Sequence, residues 1–100
     1  MIDNEGEFVK KIVEKQFNVE IKKTNQRQSG KESVAFSVLA FFLSEFFSWT
    51  YADIEREFKK KIPRISRGIT KIKTLNSENF KEHIIIEKVN YCKNQISKFI

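Results

Sequence analysis

Seven cations crowd into KKKIPRISRGITKIK, residues 59–73: Lys59, Lys60, Lys61, Arg64, Arg67, Lys71 and Lys73. No acidic residue separates them. The 100-residue chain carries 19 Lys+Arg against 13 Asp+Glu, a net +6 with His neutral. The segment contributes +7, so the other 85 residues sum to −1 and the basicity is local. Clustered like charges repel one another, and a polyanion that neutralises them is the simplest reason to gather them. The chemistry on offer is phosphate binding by Lys and Arg, and bidentate contact between Arg and a base edge.

Other reactive residues are few. His83 is the only histidine and Cys92 the only cysteine. On one helix they stand roughly 13 Å apart, too far to share a metal or form a nucleophile–base pair. Cys92 reads as core and His83 as surface. Asp53 and Glu57, one turn apart, read as a helix-capping acid and an exposed Glu beside Arg56. GKES at residues 30–33 shares letters with a phosphate-binding loop, but Asn25 stands where its first Gly belongs and Glu32 follows the Lys. The expectation is a chain that is not an enzyme, with no cofactor, metal or small-molecule substrate.

The elements that must position the cations are helical. Ten Phe with only three Gly and one Pro favour long uninterrupted elements. Phe8, Ile12, Val13 and Phe17 recur at helical spacing, predicting a first helix at about 5–17 that Asn18 can end. Residues 18–30 read as a polar connector with one helical turn around 20–23. Ser29 and Glu32 have capping-box spacing ahead of a helix at about 31–47. In it Val34, Val38, Phe41, Phe42 and Phe46 share a side that Leu39 and Leu43 widen. A helix so broadly apolar belongs in the middle of a bundle.

Ser48 and Trp49 break that pattern, with Trp49 read as core. Thr50 and Asp53 cap a short third helix at about 51–58, on which Tyr51, Ile54 and Phe58 share a face. Residues 59–62 form a loop, because Pro63 disfavours helix before it and suits a first turn. A fourth helix at about 63–75 carries Ile65, Ile69, Ile72 and Leu75. A fifth, at about 78–99, carries Phe80, Ile84, Cys92, Ile96 and Phe99. The fold class is all-α, one bundle of about five helices. The longest apolar run, 34–49, contains Glu45 and falls short of the roughly 20 residues that span a bilayer. A lone cysteine and the absence of a secretory signal predict a soluble, cytoplasmic protein without a membrane partner.

On the fourth helix the charge takes one side. With Ile65 at zero, Ile69 and Ile72 lie within about 40°, while Arg67, Lys71 and Arg64 fall at about 200°, 240° and 260°. Ser66 and Thr70, at about 100° and 140°, flank that outer face. Three lysines precede the helix, whose first-turn amides also favour an anion. A short helix, a tight connection and a second helix with a basic outer face describe a helix-turn-helix that binds double-stranded DNA. Arg64, Arg67, Ser66 and Thr70 suit base edges; Lys59, Lys60, Lys61, Lys71 and Lys73 suit phosphates.

Larger segments carry a family resemblance. AFSVLAFFLSEFFSWTYADIEREF, residues 35–58, resembles the C-terminal DNA-binding domain of the bacterial replication initiator DnaA, of the tryptophan-repressor-like helix-turn-helix group. Ala35, Phe42, Glu45, Thr50, Ile54, Arg56 and Phe58 carry the match, with Val13, Phe17 and Val19 ahead of it and ISRGITKI, residues 65–72, after it. The resemblance implies a helix-turn-helix fold, duplex binding and a role in replication or its regulation. The family's base-reading G-G-R-D-H-T-T corresponds here to KKKIPR, residues 59–64, without its Asp-His-Thr-Thr. Phe36 stands where the family has a minor-groove Arg. The ordinary DnaA box is therefore not the expected target. Beginning at Met1 with no room for the initiator's ATPase, the chain is not expected to initiate replication by itself.

The competing expectation is a helical protein-interaction domain. Its basic face would meet an acidic protein, and exposed aromatics of the second helix, with Trp49 and Tyr51, would serve a partner or self-association.

Overall fold

Local chemistry sets the ends of the helices. In the computed structural model, which describes residues 4–24 and 30–98, the chain is all-α with five helices: α1 Glu5–Phe17, α2 Gly30–Phe47, α3 Tyr51–Phe58, α4 Ile62–Lys73 and α5 Phe80–Ser97. Asn18 stops α1 in the left-handed conformation that Asn tolerates, φ 53°, with its N–H on the Glu14 carbonyl. At the end of α2, Ser48 turns to φ 60° and the Trp49 amide donates back to the Leu43 carbonyl at 3.0 Å. The expected capping box opens α3. The Thr50 hydroxyl accepts the Asp53 amide at 3.1 Å, and the Asp53 carboxylate accepts the Thr50 amide at 2.9 Å. These bonds hold the Asp53 carboxyl below its ordinary pKa.

Helix α2 is the centre. Ala35, Phe36, Val38, Leu39, Ala40, Phe42 and Leu43 are all fully buried on it. It packs against α1 and α4, while α3 packs on α4 and α5 lies along α1. Val9, Val13 and Phe17 of α1, Ile54 and Phe58 of α3, and Ile65, Ile69 and Ile72 of α4 complete most of the core. The half-buried Trp49 closes the α1 end: its Nε1–H donates to the Glu5 carboxylate at 2.8 Å. Gly6 lies beneath the indole, where an added Cβ would stand 3.0 Å from a ring carbon. Among the described residues no helix is long and apolar enough to cross a membrane.

Several expectations change. No helical turn forms at residues 20–23. Side-chain carboxylates take the amides it would need: Glu14 accepts from Ile21 at 2.7 Å and Glu32 from Lys22 at 3.1 Å. Ile21 is thereby anchored in the core. Lys23 then pairs with Glu7 of α1 at 3.3 Å and Glu57 of α3 at 2.7 Å. Ser29, the expected cap of α2, lies outside the described residues, as does Phe99.

Helix α4 begins one residue early, with Ile62 ahead of Pro63, and ends at Lys73, where Thr74 caps it. Asn79 opens α5 by accepting the Lys81 and Glu82 amides at 3.0 and 3.2 Å. The inward stripe of α5 is the half-buried Ile85 and Val89 with the buried Cys92 and Ile96. Phe80 is 78% exposed and Ile84 39%, so both leave the expected core. Cys92 is core as expected, and burial pushes its thiol up to about 11. His83 is on the surface, 2.9 Å from Glu87. The phenylalanines of α2 are buried or half-buried, so that helix presents no exposed aromatic patch.

Candidate nucleic-acid interface

The seven clustered cations do not share one environment. Lys59 ends α3 in the left-handed region, φ 58°, with its N–H on the Glu55 carbonyl at 2.8 Å. That conformation favours Gly or Asn over Lys. The backbone here turns sharply, and three residues suffice to join α3 to α4. Lys59 and Lys61 project into solvent. Lys61 is the N-cap of α4 but supplies no side-chain acceptor, so the first-turn amides keep their positive end uncapped.

Lys60, between them, turns inward and is only 3% exposed. Its ammonium donates to the carbonyls of Lys22, at 3.0 Å, and Thr24, and sits 5.5 Å from the centre of the Phe36 ring. Burial pulls its pKa below the ordinary lysine value, against the opposing pull of Glu32. The expectation that Lys60 meets phosphate is corrected. Its charge ties the connector after α1 to the start of α4.

Arg64 departs from the expected outer face in the same way. Its Nη2 donates to the Ser33 carbonyl at 2.9 Å and the Ser33 hydroxyl at 2.7 Å, and its Nη1 to the Ser37 hydroxyl at 3.3 Å. The guanidinium lies 5.3 Å from the Phe36 ring centre. Burial, and secondarily the Arg67 charge, lowers its pKa. A glycine makes this possible. A Cβ on Gly68 would stand 2.6 Å from the Ser37 hydroxyl and 2.8 Å from Arg64 Nη1. Phe36 thus forms the floor beneath two of the cations.

The others keep the outer face. Arg67, Thr70 and Lys71 are exposed, and Arg67 Nε donates to the Pro63 carbonyl at 3.3 Å. Ser66 is half-buried. Lys73 is exposed but pairs with Glu45 of α2, which raises its pKa. Four cations remain exposed without an ion pair among the described residues: Lys59, Lys61, Arg67 and Lys71. They run from the α3–α4 connection along one side of α4, with Arg67 and Lys71 one turn apart.

Charge counting alone did not reveal Ser33, Ser37 and Phe36 as receivers of the inward cations. One signal was present: Gly68, in a helix interior one turn after Arg64, is the kind of residue that marks a close approach. No protein-family profile, curated protein or solved structure matches this chain.

Proposed function

We propose that the chain binds double-stranded DNA, using α3 and α4 as a helix-turn-helix with the 59–61 connection against the backbone. Lys59 and Lys61 meet phosphates, and the α4 N-terminus adds its amide dipoles. Arg67, with Thr70 and Ser66 beside it, faces base edges, and Lys71 secures a further phosphate. Lys60 and Arg64 hold the reading surface in place from behind, and Lys73 is neutralised by Glu45.

One observation carries this reading. Four exposed cations with no acidic partner among the described residues line a short connection and one helix face, in a chain otherwise near charge balance. The resemblance of residues 35–58 and 65–72 to the DNA-binding domain of the initiator supports it, and a role in replication or its regulation follows from that likeness. Selection of bound duplexes from a random pool tests it. Enrichment of a common site is expected, with Arg67→Ala relaxing the preference. Absence of any duplex binding at low salt refutes it.

A second reading, a helical interaction domain, draws on a different feature. Phe80, Ile84 and Tyr91 lie on one side of α5 and are 78%, 39% and 51% exposed. Light scattering after size exclusion, and a pull-down that survives nuclease, distinguish it.

A further inference from the structure

We propose that the groove between α2 and α4 is a binding site for a phosphate monoester bearing a small apolar group. The groove encloses about 220 Å³. Arg64, Arg67 and Lys71 line it together with the hydroxyls of Ser33 and Ser37. Among the described residues no acidic side chain lines it. Val34, Ile72, Leu75 and Ile85 supply the apolar remainder, so the lining is part cationic and part apolar.

The charge is unbalanced where it is least exposed. Arg64 is drawn out of water yet bonds only neutral oxygens, those of Ser33 and Ser37. An arginine with five donors usually meets a carboxylate or phosphate when desolvated. Among the described residues its Nε–H has no acceptor and no fully buried polar side-chain atom lacks a partner, so that donor opens to the groove. Arg67 adds a like charge nearby. A doubly charged tetrahedral anion answers three cations and the Ser33 hydroxyl better than a single carboxylate does, the Ser37 hydroxyl being spent on the Ser33 carbonyl at 3.0 Å. Gly68 keeps the space clear, since a side chain there would collide with Ser37 and Arg64. The site stands independently of the duplex reading, although it shares Arg67 and Lys71 with that surface.

Backbone phosphate of a duplex offers related chemistry, so the experiment separates the two sources. Full-length ¹⁵N-labelled protein is titrated with phenyl phosphate, with inorganic phosphate and with a short duplex, following amide shifts. Phenyl phosphate is expected to move Ser33, Ser37, Gly68 and Ile85 saturably. It should bind about tenfold or more tighter than inorganic phosphate, because its ring covers the apolar part of the lining. Ser33→Asp puts a carboxylate beside Arg64 at a first-turn position that favours acids. This variant should keep or raise the melting temperature and lose the phenyl phosphate shifts. Shifts that do not saturate, persist in S33D, or centre on Lys59 and Lys61 overturn the proposal. So does a groove that responds to duplex alone. Failure of duplex binding with saturable phenyl phosphate binding leaves this site standing and removes only the DNA reading.

Discussion

Salt dependence of duplex binding measures how many cations meet phosphate, and the environments of the seven cations fix the number expected. Lys60 and Arg64 are held inside, and Lys73 is paired with Glu45. Four remain, of which Lys59, Lys61 and Lys71 meet phosphate and Arg67 a base edge, and at about 0.9 counterions released per phosphate the log–log slope of affinity against salt is about −2.7. Between 50 and 200 mM salt that slope lowers affinity by about 40-fold. Replacing Arg67 and Lys71 together by Gln removes one base-edge contact and one phosphate contact. The slope becomes about −1.8 and the loss over the same range about 12-fold. Lys60→Met should leave the slope at its parental value while the protein melts earlier. Fluorescence anisotropy of a labelled duplex at five salt concentrations reads all three slopes. A parental slope near −6, or one that Lys60→Met makes shallower, would refute the division into inner and outer cations. An unchanged slope in the double variant would move the contact surface away from α4.

Other outcomes follow from contacts already described. Lys60→Ala removes the ammonium bonded to the Lys22 and Thr24 carbonyls and with it the charge above Phe36. Chemical denaturation should show a loss of about 2–3 kcal/mol. Gly68→Ala forces a Cβ to 2.6 Å from the Ser37 hydroxyl, and overpacking of this kind costs about 1–3 kcal/mol. Adding Ser37→Ala should recover part of that loss in the same assay. The Lys23 ammonium holds the Glu7 carboxyl below its ordinary 4.5. A depressed carboxyl stabilises the fold above pH 4.5, and the benefit disappears as pH falls through its folded value. Glu7→Gln should therefore melt slightly below the parent at pH 7, and the two curves should converge in acid. A gap that widens in acid would contradict the assignment.

Helix placement was legible where a boundary has a local cause. Asn18, Thr50 with Asp53, and Pro63 announce their roles in the sequence, and the isoleucine stripe of α4 fixes its buried side. Side-chain reach was not legible. A helical wheel gives the direction of a Cβ, but Arg64 has enough length to fold back over the gap at Gly68. Three consecutive lysines look alike until the left-handed turn at Lys59 sends Lys60 inward. The face of α5 was ambiguous for another reason. It carries apolar residues on two sides, and only packing against α1 selects Ile85, Val89, Cys92 and Ile96 over Phe80 and Ile84. The turn expected at residues 20–23 failed because Glu14 and Glu32, distant in sequence from the amides they capture, compete with backbone carbonyls.

The seam at Trp49 gives the protein an internal optical gauge. Its only indole is wedged between Gly6 and the body of the bundle and is fastened to Glu5, so emission must respond when the first helix lifts away. Unfolding that starts at the amino-terminal helix will redden the spectrum before ellipticity from the remaining helices falls. Unfolding that starts at the carboxy-terminal helix will reverse that order.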